Sequence, residues 1–162
     1  MFLHTPFNER MPALSPDGQW LAYASDESGT FQVYVRTFPD GRRKYQISNR
    51  DGFHPVWSSN RRELFFLQDG EQQIMAASYK IQGNSFVPDK PRPWSEEKLA
   101  ITPTTREYDV APDGNHIVAL LPADAANEEK PPYHVVFLLS FFDELRRRVA
   151  TGRKALALTH WI

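Results

Sequence analysis

The stretch Pro12-Ala13-Leu14-Ser15-Pro16-Asp17-Gly18-Gln19-Trp20-Leu21-Ala22-Tyr23 has two echoes further along the chain. One lies 43 residues on, as Pro55-Val56-Trp57-Ser58-Ser59-Asn60-Arg61-Arg62-Glu63-Leu64-Phe65-Phe66. The other follows after a further 53, as Tyr108-Asp109-Val110-Ala111-Pro112-Asp113-Gly114-Asn115-His116-Ile117-Val118-Ala119. A period of this size marks a repeat architecture. A repeat unit cannot bury its own apolar face, so each copy has to stack on a neighbour.

Every copy centres on a turn. In Ser15-Pro16-Asp17-Gly18 and Ala111-Pro112-Asp113-Gly114, proline presets φ, aspartate caps locally and glycine takes the positive φ. In the middle copy Ser58-Ser59-Asn60-Arg61 fills the slot, and Asn60 tolerates a left-handed backbone, so a weaker turn is expected there. Strand candidates flank the turns, at 10–15, 53–58 and 106–111 before them and at 20–25, 63–68 and 116–121 after them. A third strand follows in each unit, at 31–36, 73–77 and 134–138, where residues alternate with the two-residue period of a pleated strand. Asp26-Glu27-Ser28-Gly29 and Asp69-Gly70-Glu71 are tight hairpin signals, whereas 122–132 is a longer proline-bounded loop. A fourth strand is expected at 44–48 and a poorer one at 90–94, where Pro88, Pro91 and Pro93 confine the segment to a sheet edge. The last unit has no evident fourth strand. Instead Ser140 to Leu145 reads as a capped short helix ended by Gly152, with an apolar tail from Ala155 to Ile162.

Composition bounds the function. At 162 residues, with 41% hydrophobic and 13% aromatic residues, the chain can build one globular domain. Its net charge of -1 offers no field for nucleic acid or an anionic membrane. The absence of cysteine removes disulfides and thiolate chemistry. The opening residues lack the features of a signal peptide, and the apolar run from Val135 is too short to span a bilayer, so a cytoplasmic location is expected as the chain is written.

Sets of four strands at this period read as propeller blades. With the motif from Ser15 through Tyr23 to Ser25, the chain resembles a TolB-type (PD40, WD40-like) β-propeller. More narrowly, Thr5 to Gly18, Glu27 to Pro39 and Phe141 to Leu145 resemble the C-terminal propeller regions of bacterial serine/threonine kinases and related sensor proteins. The resemblance implies an all-β fold: a partial propeller of about three four-stranded antiparallel blades, at 10–48, 53–95 and 106–139, with the helix and tail at 140–162. Such families carry complete rings, sometimes outside the cytoplasm. Kinase signatures are absent, so phosphoryl transfer does not carry over. The expected completion is a homodimer giving a six-bladed ring, in which Phe2 to Phe7 of one chain supplies the outer strand of its partner's third blade.

No chemistry-bearing constellation stands out. The histidines at 4, 54, 116, 134 and 160 lack zinc-ligand spacing, and no metal or other cofactor is expected. Ser15, His54 and Asp17 could be drawn as a triad, but the serine and aspartate belong to a turn. The Asp-Gly turns lack the spacing of a calcium loop. The basic runs 42–44 and 146–148 read as solvated surface. Propeller geometry places a binding site at the mouth of the central channel, rimmed by Glu9, Arg10, Phe53, His54, Arg106 and Glu107. Pairing of Arg10 with Glu107 or Glu9 is the competing, purely structural reading. The expected function is a non-enzymatic interaction scaffold or sensor fragment with protein or peptide partners. The alternative is a peptide- or glycan-binding accessory of a hydrolase-type system.

Overall fold

The computed structural model describes residues 5–68, 70, 72–99, 108–122 and 133–138. These form twelve strands in three antiparallel sheets, each the product of one sequence repeat. Blade 1 comprises β1 (Glu9–Leu14), β2 (Trp20–Ser25), β3 (Gln32–Thr37) and β4 (Lys44–Gln46), paired in sequence order. Blade 2 comprises β5 (Phe53–Trp57), β6 (Glu63–Gln68), β7 (Gln73–Gln82), β8 (Ser85–Pro88) and β9 (Arg92–Lys98). Blade 3 contributes β10 (Tyr108–Val110), β11 (Ile117–Pro122) and β12 (Tyr133–Leu138). The expected helix and tail at 140–162 and residues 2–4 lie outside the described residues.

The turns close as the motif dictates. Gly18 donates to the Ser15 carbonyl at 2.8 Å and Gly114 to that of Ala111 at 2.9 Å, both at positive φ. The middle turn departs from expectation: neither Asn60 nor Arg61 adopts positive φ. Ser58 Oγ closes it by accepting from the Arg61 N–H at 3.2 Å. Asn60 is freed to reach the next blade, donating through Nδ2 to the Asp113 carbonyl, while Arg61 reaches Asn115. Position 60 links two blades.

In the third turn Asp113 accepts from the N–H groups of Asn115 (2.8 Å) and His116 (3.2 Å), and from His116 Nδ1. The Asn115 N–H first, and then the His116 side chain, hold this carboxyl below its ordinary pKa. A depressed folded-state value stabilises the fold above the unfolded pKa of about 3.9 and loses that stabilisation as pH falls through the folded value. Asp113→Asn is therefore expected to lower the melting temperature at pH 7 while narrowing its difference from the parent chain below about pH 3. Thermal melts at both pH values check this.

Two apolar clusters lie in the seams between blades. The first joins Trp20, Ala22, Val33 and Val35 of blade 1 to Trp57, Leu64, Phe66 and Met75 of blade 2. The second joins Phe65, Leu67, Ile74 and Ala76 of blade 2 to Tyr108, Ile117 and Ala119 of blade 3. Alternation along β6 thus sends Leu64 and Phe66 one way and Phe65 and Leu67 the other. This explains its unbroken apolar run, since the blade is buried on both faces. Each seam also carries one side-chain bond to the preceding blade's inner strand. Trp57 Nε1 donates to the Ala13 carbonyl at 2.9 Å, and Tyr108 Oη to that of His54 at 2.7 Å.

Blade 2 differs from the four-stranded expectation. β7 runs ten residues instead of the expected five. Its first part pairs with β9 as the outer strand, which starts and ends later than expected. Its last part, Tyr79 to Gln82, projects beyond the blade and pairs with β8 through a two-residue turn at Gly83 and Asn84. This hairpin lies against blade 1. Phe86 is 2% exposed, its ring centroid 5.2 Å from Trp20, 5.8 Å from Tyr45 and 4.6 Å from Tyr79. Arg43 donates to the Asn84 carbonyl and so ties the turn to the loop before β4.

Candidate functional site

The inner strands β1 and β5 share one irregularity at equivalent repeat positions. Their pairing shifts between Arg10 and Ala13 and between Phe53 and Val56, and Met11 (φ 55°) and His54 (φ 49°) are left-handed there. Proline follows each, at Pro12 and Pro55, and cannot donate to the ladder. Bulges of this kind re-aim neighbouring side chains at sheet rims. A left-handed backbone at non-glycine residues also costs free energy that the surrounding structure must offset.

The bulges sit beside a short stack. The Arg10 guanidinium carbon lies 5.2 Å from the centroid of the Phe31 ring, and that ring lies 5.1 Å from Phe53. Arg10 is exposed and Phe31 and Phe53 are half-buried, so a cation stands at the edge of an aromatic shelf. Gly52 fixes the approach of the two aromatics. Its N–H donates to the Phe31 carbonyl at 2.9 Å. A Cβ at this position would stand 3.0 Å from both Ser48 Cβ and Val33 Cγ2, so glycine is what lets the loop come this close. On the other side Asn8 donates to Asp26 through its backbone N–H at 2.9 Å and its side-chain amide at 2.6 Å. These bonds hold the Asp26 carboxyl below its ordinary pKa and anchor the chain entering β1.

Of the rim residues expected from sequence, Arg10 and Phe53 come together through Phe31. His54 is the bulge residue itself, and its carbonyl accepts the Tyr108 hydroxyl. Glu9 occupies the opposite face of β1 from Arg10 and accepts from Thr5 Oγ1. The Arg10–Glu9 pair is thus absent: among the described residues Arg10 joins no ion pair. Arg106 and Glu107 lie outside the described residues. Phe31 was missed because its position reads as the start of β3, whereas the strand begins at Gln32 and leaves Phe31 in the rim loop. The signal was its place directly after the Ser28-Gly29-Thr30 turn.

The imagined triad dissolves into turn chemistry. Ser15 Oγ donates to Asp17 Oδ1 at 2.6 Å and accepts the Trp20 N–H at 2.9 Å. Among the described residues no group of three or more histidines or carboxylates could hold a metal ion.

Strands ordered inner to outer, repeated along the chain and packed face to face through apolar seams, define blades of a β-propeller. A solved structure agrees. Oligogalacturonate lyase from Vibrio parahaemolyticus superposes with a TM-score of 0.52 at 17% identity, over 74% of this chain and 31% of the lyase. TolB from Acinetobacter baumannii gives a TM-score of 0.36 at 14% identity, over 86% of this chain and 43% of TolB. The chain thus spans less than half the length of either protein. No protein-family model and no curated sequence matches it. At this identity the likeness is one of fold, and the fold is a partial β-propeller.

Proposed function

We propose that these blades form a non-enzymatic interaction module, a scaffold or sensor fragment, that takes a carboxylate-bearing peptide segment at the Arg10–Phe31–Phe53 shelf. The observation that carries this reading is the exposed Arg10 guanidinium over Phe31, without an ion pair among the described residues. Such a group offers two parallel N–H donors to a carboxylate, while the half-buried rings beside it accept an apolar side chain. The left-handed bulges at Met11 and His54 support it, since strain of this kind collects at binding sites.

Titration of an array of acidic peptides against the same peptides with their carboxylates amidated tests the reading. The expected result is preference for the free carboxylates and a loss of about tenfold in affinity on Arg10→Ala, equivalent to roughly 1.4 kcal/mol. The circular dichroism spectrum should not change, because Arg10 is exposed. Binding of neutral oligosaccharides in place of peptides would replace this reading with that of a glycan-binding accessory. Equal affinities for Arg10→Ala and the parent chain would remove the shelf from the site.

A further inference from the structure

The Arg10 shelf carries a second charge that a single bound carboxylate leaves unused. Register fixes where it stands. Ser25 pairs with Glu9 on one side and with Gln32 on the other. The next step along the sheet therefore sets Asn8, Asp26 and Phe31 in one row beyond the strand ends, and the two bonds from Asn8 to Asp26 close half of that row. Alternation puts Asp26 and Phe31 on the same side as Ala24 and Val33, which pair with each other, and Val33 lies in the seam with blade 2. Arg10 pairs with Ala24 and so shares that side, its guanidinium carbon 5.2 Å from the centroid of the Phe31 ring. A cation and a carboxylate thus stand at one rim beside one ring.

The two charges do not close on each other. Among the described residues neither Arg10 nor Asp26 joins an ion pair. Asn8 holds Asp26, and the ring holds Arg10. They are nonetheless within electrostatic reach: the Asn8 side-chain bond is the first cause that keeps the Asp26 carboxyl below its ordinary pKa, and the Arg10 charge adds to it. The neighbouring carboxylates are otherwise engaged. Glu27 pairs with Lys44, Glu9 takes the opposite face and accepts from Thr5 Oγ1, and Asp51 accepts the Gly70 N–H at 2.7 Å. Asp26 is the carboxylate of blade 1 left on the shelf side without a cation.

A cation and an anion kept apart beside an apolar ring are complementary to a ligand that carries the opposite pair. The geometry points to a peptide segment in which a lysine or arginine neighbours the carboxylate. The carboxylate lies on Arg10, the basic head on Asp26, and the methylenes of the basic side chain cross Phe31 and Phe53. This rests on the carboxylate reading of the shelf and adds the charge that must stand beside the carboxylate. A run of several carboxylates is selected against, because Asp26 repels the second.

Fluorescence anisotropy with the whole 162-residue chain tests this on matched peptides that carry lysine or the uncharged norleucine beside one carboxylate. The lysine peptide should bind about three- to fivefold more tightly at low ionic strength, the worth of an exposed ion pair. High salt should shrink that margin, and Asp26→Asn should abolish it. Asn8→Ala loosens the anchoring of Asp26 but keeps its charge, so lysine should stay favoured there. Equal binding of the two peptides, with the free carboxylate still preferred to the amide, would overturn the inference and leave the carboxylate reading standing. A margin that survives Asp26→Asn, or that disappears equally in Asn8→Ala, would overturn it as well. Loss of the preference for the free carboxylate would remove both readings together.

Discussion

Phe86→Ala should lower the unfolding free energy by about 3–5 kcal/mol, the range for truncating a fully buried phenylalanine. The ring is 2% exposed and belongs to a hairpin that sequence repeats do not predict. It contacts four aromatic side chains: Trp20 and Tyr45 of blade 1, and Trp57 and Tyr79 of blade 2. Truncation removes both the transfer free energy and the packing of those rings, which rest on two different sheets and cannot easily collapse into the gap. The hairpin has few other attachments to blade 1, chiefly the Arg43 bond to the Asn84 carbonyl. Its local opening should therefore increase along with the global loss. Urea titration gives the first effect, and amide exchange at Lys80 and Val87, which pair across the hairpin, gives the second. Phe86→Leu should recover more than half of the loss, because the volume is largely kept. A loss below about 1 kcal/mol for Phe86→Ala would mean that the hairpin does not plug the seam.

How much of this was legible beforehand depends on whether the signal was local. Turn chemistry is local, so Ser15 to Gly18 and Ala111 to Gly114 gave their closures, and with them the repeat and the order of strands within a blade. The strand at 63–68 falls where it is expected, but its unbroken apolar run is explained only by the two seams that it faces. The β7–β8 hairpin had a local signal too. Gly83-Asn84 separates Tyr79 to Gln82 from Ser85 to Pro88, and the pairing registers about that turn. Reading four strands per blade places strands at 73–77 and 90–94 and leaves this stretch between them without an element, although Tyr79 and Ile81 alternate. The site was harder to see. Arg10 and Phe53 are 43 residues apart and meet only through Phe31, whose ring position depends on the close approach at Gly52. Nothing in the sequence marks a left-handed Met11 or His54 except the proline after each, and many X-Pro pairs are simply extended.

Two glycines that look interchangeable in the repeat should behave differently when replaced by alanine. Gly18 and Gly114 occupy the same turn position with nearly equal φ, 69° and 67°. A Cβ at Gly18 would meet nothing within 4 Å. Gly18→Ala should therefore cost about 1 kcal/mol, the penalty for alanine in the left-handed region. At Gly114 the same Cβ would collide with Asn60 Oδ1 and stand 2.5 Å from Ser58 Oγ. Both atoms belong to the blade 2 turn, and Asn60 is held there by its bond to the Asp113 carbonyl. The backbone penalty is then joined by overpacking at a seam between blades, and Gly114→Ala should cost about 2–4 kcal/mol in all. Parallel urea titrations of the two variants measure the difference directly. Adding Asn60→Gly, which removes the colliding atom, should recover part of the loss in the Gly114→Ala background and none beside Gly18→Ala. A double-mutant cycle thus isolates the contact from the φ term. Equal losses for the two alanines, or no coupling between positions 60 and 114, would mean that the turns do not interlock at this contact and that blades 2 and 3 are held by their apolar seam and their other bonds, such as that from Tyr108 to the His54 carbonyl.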